Sequence, residues 1–278
     1  MISKKNTIAG IVAYNPEVSR LLLNIENIIH QVDKVIIIDN GSYNNYYSEI
    51  PKDIFIVKNN KNKGIAYALN QICDYAKINK YDWAVTLDQD SISPPNLIKE
   101  YSEYSTDITV GMFTPQIEDI NAGALSNKQN LERYETIDTC ITSASAIKIK
   151  AWEEVGNFCN AMFIDNVDFD MCLMLQKHNY KIVKCNRAIL THEIGNSHKI
   201  NFMGKETLVF NHKPLRYYYI IRNTIFLGKK HKMMSNSILS ILKRVIIVNL
   251  YEHDRFEKNN YMIRGIYHAI IGQYGEYK

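Results

Sequence analysis

The chain predicts an α/β fold: a mostly parallel central sheet flanked by helices, with a helical extension at the C-terminal end. Three observations carry that expectation. Short apolar runs without helical spacing alternate with amphipathic helical stretches through the first hundred residues, as strand and crossover-helix units require. Acidic residues recur at the ends of those runs, where an open α/β sheet binds its ligands. The last seventy residues read as helices alone. At 278 residues with 46% hydrophobic content, the chain can bury a substantial core, and disorder is not expected.

Residues 7–13 form an apolar run followed by the turn pair Asn15-Pro16, which predicts a buried first strand and a helix opened by Pro16. Val18, Leu21, Leu22, Ile25, Ile28 and Ile29 recur at three and four along that helix. Residues 35–38 predict a second strand ending in the turn-forming cluster Asp39-Asn40-Gly41-Ser42, and residues 54–57 a third. A polar loop over 59–64 leads into a helix with Ile65, Leu69, Ile72 and Ala76 inward. The run 83–87 ends in Asp88-Gln89-Asp90, and Pro94-Pro95 starts the next helix. Further on, 110–113 and 146–149 are strand candidates, with a surface loop expected from Asn121 to Asn127. The cluster Asp165, Asp168 and Asp170 opens a helix with Asp165 as N-cap and with Val167, Met171, Met174 and Leu175 inward. Val183 and Ile189-Leu190 mark two short strands or one irregular one, ending at Thr191-His192. Helices follow over 215–227, with three consecutive tyrosines assigned to the core, and over 238–251. Lys243 and Arg244 interrupt the longest apolar run, so no membrane span is expected.

Five cysteines without C-x-x-C spacing suggest neither a zinc site nor a complete disulfide framework, and a reducing cytoplasm fits them. Residues 1–6 hold no apolar signal segment, so export is not expected. The net charge of +4 hides an asymmetry: residues 201–278 hold 13 Lys and Arg against 5 Asp and Glu, a balance of +8, which leaves −4 for the first two hundred. The basic end is a candidate surface for anionic partners, and the acidic front speaks against nucleic-acid binding.

In an extended segment Asp88 and Asp90 present their carboxylates to one side, about 7 Å apart. Such a pair suits a hard divalent cation shared with phosphate oxygens, the second carboxylate accepting ribose hydroxyls; the plainer reading is that both shape a turn or cap the next helix. Asp168 falls in the first turn of its helix, where the macrodipole favours a carboxylate, so capping alone would account for the cluster around it.

Ten segments occur in a specific order and spacing: residues 12–15, Ile38-Asp-Asn-Gly-Ser42, Asn62-Lys-Gly-Ile-Ala66 with Asn70, Leu87-Asp-Gln-Asp-Ser91, Thr142-Ser143, residues 155–158, Phe163-Ile-Asp-Asn-Val-Asp168 with Cys172, His192 with Gly195, residues 212–214, and Arg216-Tyr-Tyr218 with Arg222-Asn223. Together they resemble the inverting glycosyltransferases of family 2, of GT-A (nucleotide-diphospho-sugar transferase) fold, and within them the bacterial rhamnosyltransferase-like branch. The resemblance implies that Asp39 meets the nucleoside and that Asn62, Lys63 and Gly64 meet the nucleotide. It sets Asp88 near the ribose or phosphates, Asp90 as the metal ligand of a D-x-D element, and Asp168 as the catalytic base. His192 is implied near the diphosphate or metal, with a buried structural histidine as the alternative. Arg216 and Arg222 are implied at the diphosphate or an acceptor phosphate, for which a guanidinium fork is suited, or else in salt bridges on a helix surface. Val167 and Met174 stand where many members carry an acidic residue and an arginine.

The implied chemistry is a single inverting displacement assisted by Mg²⁺ or Mn²⁺, with dTDP-β-L-rhamnose as the favoured donor and UDP-galactofuranose or UDP-glucose as alternatives. The acceptor in such pathways is a polyprenyl-diphosphate-linked saccharide, in O-antigen or capsule synthesis at the inner face of the cell membrane. The implied organisation is a catalytic domain over 1–212, with a nucleotide-sugar half to about 110 and an acceptor half after it. Residues 213–278 would form a helical region for membrane-surface contact, packing or a homodimer. Two rivals share parts of this pattern. A sugar nucleotidyltransferase would carry a Gly-rich basic loop where Tyr14-Asn15-Pro16-Glu17 stands, and a non-catalytic carbohydrate-binding protein would have no need of both the D-x-D element and the base.

Overall fold

The computed structural model describes residues 1–104, 107–119, 123–124, 132–192, 198–202 and 204–278. All seven residues of β1 (Thr7–Ala13) are buried, because the strand lies between β2 (Lys34–Asp39) and β4 (Trp83–Asp88), parallel to both. Its side chains alternate between two cores, as a strand covered on both faces must. Ala9, Ile11 and Ala13 pack with Leu21, Ile25 and Ile28 of α1 (Val18–Ile29), while Ile8 and Val12 pack with Leu69 and Ile72 of α2 (Ile65–Ile78). On α1 the expected apolar face is the buried one, with Asn24 added to it.

The remaining elements are β3 (Phe55–Lys58), α3 (Leu97–Ser102), β5 (Val110–Asp119), β6 (Gly123–Ala124), β7 (Tyr134–Ile137), β8 (Ser145–Lys148), α4 (Ile149–Glu154), α5 (Val167–Lys177), β9 (Lys181–His192), β10 (His198–Phe202), β11 (Lys205–Val209), α6 (Pro214–Lys230), α7 (Met234–Tyr251) and α8 (Arg255–Ile271). The main sheet runs β3-β2-β1-β4-β8-β5-β9-β7, with β6 on β5. Its first four strands are parallel, as expected, and antiparallel β8 makes it mixed from there on. Strand β9 is continuous and irregular, with register shifts against β5. Most of the loop expected from Asn121 to Asn127 lies outside the described residues.

Several elements depart from the sequence reading. Strand β4 stops at Asp88, and Gln89-Asp90 form a turn closed by the Ser91 amide on the Asp88 carbonyl at 3.2 Å. The two-residue alternation that would aim both carboxylates to one side therefore does not apply there. The N-cap of α5 is Asn166, not Asp165, and it makes no side-chain cap. Helix α4, strand β7, the β10–β11 hairpin and helix α8 were not anticipated. In α8 the apolar residues divide between a buried side (Met262, Ala269) and an exposed side (Phe256, Ile263, Tyr267, Ile270), which blurs the periodicity that marks a helix. The three C-terminal helices share an apolar cluster of their own, with Tyr217, Ile221, Ile225, Val248 and Met262 at its centre, so the tyrosines are core as expected.

Candidate active site

Strand register brings the first site residues together. Val12 pairs with Asp88 across β1 and β4, and Ala13 pairs with Asp39 across β1 and β2, so both carboxylates stand at the C-terminal edge of the parallel strands. Asp39 is 1% exposed. Its Oδ1 accepts from the Gly41 and Ser42 amides at 3.0 and 2.8 Å, and its Oδ2 accepts from the Tyr47 hydroxyl. Within the protein the side chain thus holds the turn after β2, where the resemblance had implied a nucleoside contact.

The Asn62–Gly64 loop is braced by its own amides. Asn62 Oδ1 accepts from the Gly64 amide at 2.9 Å, Asn40 Oδ1 accepts from the Lys63 amide at 3.1 Å, and Asn40 Nδ2 donates to Asn62 Oδ1 at 3.1 Å. Gly64 has φ +87°, and an added Cβ would overlap the Phe163 carbonyl oxygen. Only glycine accommodates both constraints. Lys63 Nζ lies over the Tyr67 ring, 4.4 Å from its centroid.

Among the described residues, the segment before α5 gathers three non-glycine residues with positive φ within four positions. Phe163, Asp165 and Asn166 all have φ between +62° and +65°, a conformation that costs a non-glycine residue free energy and persists only where neighbours over-determine it. Those neighbours come from α6. Arg222 donates to the Met162 carbonyl at 3.0 Å, and Asn223 Nδ2 donates to the carbonyls of Met162, Ile164 and Asp165 at 2.8, 2.6 and 3.0 Å. Arg222 is 0% exposed, with a further bond to the Gly275 carbonyl at 2.7 Å and its guanidinium about 5 Å from the Tyr218 and Tyr219 ring centroids. The expectation of Arg222 at a phosphate is therefore corrected: its donors are taken up by the Met162 and Gly275 carbonyls, Asn223 Oδ1 and the Tyr218 hydroxyl, and it clamps the loop instead. Across the site, Asn70 performs a matching task, bonding the Phe158 amide and carbonyl at 2.9 Å each and the Trp152 indole at 3.1 Å.

Asp168 sits in the first turn of α5. Burial pushes its carboxyl up to about 6, opposed by the Phe169 amide bond at 2.9 Å and reinforced by the nearby charges of Asp165 and Asp88. Asp88 and Asp168, eighty residues apart, therefore share one electrostatic space. Burial also raises Asp165 above the usual carboxylate range, against Arg216, which donates from Nε and a terminal nitrogen to Asp165 Oδ1 at 3.1 Å each. Asp165 Oδ2 is buried with no hydrogen-bond partner among the described residues. Arg216 itself is 46% exposed and stands at the rim. Asp170, in contrast, is buried in an ion pair with Lys230 at 2.7 Å and a hydrogen bond with His231 Nε2 at 2.7 Å and fastens α5 to the end of α6.

Asp90 is half-buried, and its side chain has no hydrogen-bond or ion-pair partner among the described residues. An isolated antiparallel bridge between Ile92 and Thr191 lays the end of β9 beside this turn, which brings the backbone of His192 near it. The His192 side chain, like Gly195, lies outside what is described. Among the described residues no three His, Cys, Asp or Glu side chains form a ready metal cage. Mg²⁺ does not require one: a single carboxylate with substrate phosphates and water suffices. The Asp90 carboxylate, with no partner among the described residues, is a hard donor of that kind, so the site fits such a cation.

One contributor escaped sequence reasoning. Arg244 of α7 lies 6.0 Å from the Phe210 ring centroid, and its charge acts on both Asp165 and His212. Burial, with Arg216 and Arg244 beside it, lowers His212 to about 3. Nothing local in the sequence marks Arg244, because only helix packing brings it to this edge.

The profile of Glycosyl transferase family 2 matches residues 9–168. The chain is similar to the dTDP-rhamnosyl transferase RfbF of Shigella flexneri, 26% identical over 292 residues that cover 96% of this chain and 95% of the relative. Among solved structures, S. aureus TarS 1-349 in complex with UDP-GlcNAc superposes with a TM-score of 0.62 at 10% identity, over 95% of this chain and 81% of that one. GalNAc-T7 with UDP, GalNAc and Mn²⁺ superposes with a TM-score of 0.58 at 14% identity, over 68% of this chain and 43% of that one. This chain thus spans less than half the length of GalNAc-T7.

Proposed function

The chain belongs to glycosyl transferase family 2, and from that membership and its GT-A type fold we propose that it transfers L-rhamnose from dTDP-β-L-rhamnose, with inversion, to a hydroxyl of a lipid-linked saccharide. The setting of this reading is bacterial surface polysaccharide synthesis at the inner face of the cell membrane. The donor is supported by the similarity, along nearly the whole chain, to a dTDP-rhamnosyl transferase. The observation that carries the mechanism is Asp168, a carboxyl raised to about 6 in the same space as Asp88.

In this reading Asp168 accepts the proton of the acceptor hydroxyl as that oxygen attacks the anomeric carbon. The Phe169 amide holds Oδ1 at 2.9 Å, which leaves Oδ2 to meet the acceptor. A base that titrates near 6 is ionised at neutral pH yet basic enough to share a proton in the transition state. Asp90, with Asp88 beside it and His192 near the same turn, would hold Mg²⁺ or Mn²⁺; when bound, the cation neutralises the departing nucleoside diphosphate. The Asn62–Gly64 loop, held in shape by Asn40, would lie against the nucleotide, with Lys63 offering its ammonium. Arg216 approaches the diphosphate or an acceptor phosphate from the rim, and Arg222 preserves the loop that carries Asp165 and presents Asp168. Inversion follows from a single displacement with one base and no covalent intermediate.

A thermal-shift panel of dTDP-, UDP- and GDP-sugars with Mn²⁺ tests the donor. At a hundred times Kd, binding stabilises by about 2.7 kcal/mol, a rise in Tm of roughly 5 °C for a chain of this size. A rise confined to dTDP-rhamnose, followed by transfer to a lipid-linked acceptor, is the expected result. A UDP-sugar giving the larger rise would overturn the rhamnosyl reading, and no response to any sugar nucleotide would overturn the transferase reading.

A further inference from the structure

Helix α7 carries two apolar sides, and among the described residues only one of them is packed against other elements. Val248, with Ile241 and Val245, packs into the cluster shared with α6 and α8. On the other side Ile238, Leu242, Ile246 and Leu250 recur every fourth residue, with Leu239 beside them, and all five are 45 to 66% exposed. A surface helix normally turns polar residues outward there. From position 229 to 251 the chain has no Asp or Glu against five Lys and Arg. Lys243 is exposed on this same side, four residues after Leu239 and three before Ile246.

We propose that this outer side of α7 docks flat on an anionic lipid bilayer. The five aliphatic side chains enter the boundary between headgroups and acyl chains, and Lys243 and Lys232 meet the lipid phosphates. Crossing the bilayer is a different matter: among the described residues no helix is long and apolar enough to do so. Charge selects lipid over a second copy of the chain. Two such helices paired about a two-fold axis would bring Lys243 of each copy onto a shared apolar seam, with no Asp or Glu on either helix to neutralise it. Arg244, the residue after Lys243, points the other way, toward Phe210 and the Asp165 side of the site. One helix would thereby border both the bilayer and the site to which a lipid-linked acceptor must come.

This deepens the reading of a membrane-held acceptor, but its test needs neither donor nor acceptor, so its failure would leave the transferase reading standing. The full chain is floated with phosphatidylcholine vesicles, with and without phosphatidylglycerol, and its mass is followed by light scattering. Flotation with the anionic vesicles only is expected. It should fall at least tenfold for the double change Leu242→Glu and Ile246→Glu, and several-fold for Lys243→Glu, while the donor-induced rise in Tm is kept. If the double variant does not fold, Lys243→Glu decides. Wild-type protein that stays at the bottom of the gradient, variants that float as well as wild type, or a wild-type dimer that the double change splits would each overturn the proposal.

Discussion

The backbone amide of Ile65 donates to the Phe163 carbonyl at 2.7 Å, and this bond joins the loop after β3 to the strained segment before α5. Two chain segments a hundred residues apart, one assigned to the nucleotide and one leading to the candidate base, therefore meet along a single seam. Gly64 is the residue that permits the approach.

Gly64→Ala should open that seam. The substitution adds strain at φ +87° and an overlap with the Phe163 oxygen. A loss of about 1–3 kcal/mol is expected from the backbone conformation alone, measured by denaturant unfolding, together with weaker donor binding by calorimetry. Stability and affinity both at wild-type values would mean that the seam is not rigid.

Asp168→Asn keeps the shape of the side chain and removes its basicity. Transfer should drop by about 10²–10⁴-fold while donor affinity changes little, as separate calorimetric and transfer assays would record. If transfer survives, the proton goes elsewhere.

The raised carboxyl of Asp168 also sets two opposed pH trends. As a base it works when ionised, so kcat/KM should fall with one-proton dependence as the pH drops through about 6. For stability the sign reverses. The folded state holds this proton more tightly than the unfolded chain, so the group's contribution is fully present below the ordinary carboxylate range and is lost as the pH rises through about 6. Kinetics and unfolding of the wild type and Asp168→Asn across pH 4–8 would separate the two; a pH–rate profile flat through 6 counts against the base.

Arg222 and Arg216 should behave differently although one helix carries both. Arg222→Ala removes a buried side chain with its bonds to the Met162 and Gly275 carbonyls, and only the latter loses its side-chain donor altogether, so a loss of about 3 kcal/mol is expected, seen as a lowered Tm without ligands. Arg216→Ala removes a half-exposed partner of Asp165 and should cost under about 1 kcal/mol while weakening transfer. Equal losses of stability from the two changes would contradict these roles.

Chelation should abolish transfer, and Mg²⁺ or Mn²⁺ should restore it. Asp90→Asn should raise the cation concentration needed for half-maximal rate without lowering Tm, since the Asp90 side chain has no partner among the described residues to lose. Full activity in chelator would remove the cation from the mechanism.

The parallel half of the sheet and its helices were legible because their signals are local: the run 7–13, the spacing on α1 and α2, and the turn residues after β2 follow from periodicity and backbone preference alone. Asp168 and Asp88 could be singled out, one by its place in a helix's first turn and one by its strand end, but composition and spacing did not bring them together. The turn at Gln89-Asp90 was read as extended, because a strand's end is set by where its partner strands stop.

The alternation of strands and helices in the parallel half, the positions of the acidic residues and the basic bias of the C-terminal end were thus determined by the sequence itself. Tertiary structure alone decided that Arg222 would be buried as a clamp, that Arg244 would reach the site from α7, and that Asp88 and Asp168 would share one space. Each of these depends on packing between segments far apart in the chain, where burial and neighbouring charge, rather than residue type, settle what a side chain does.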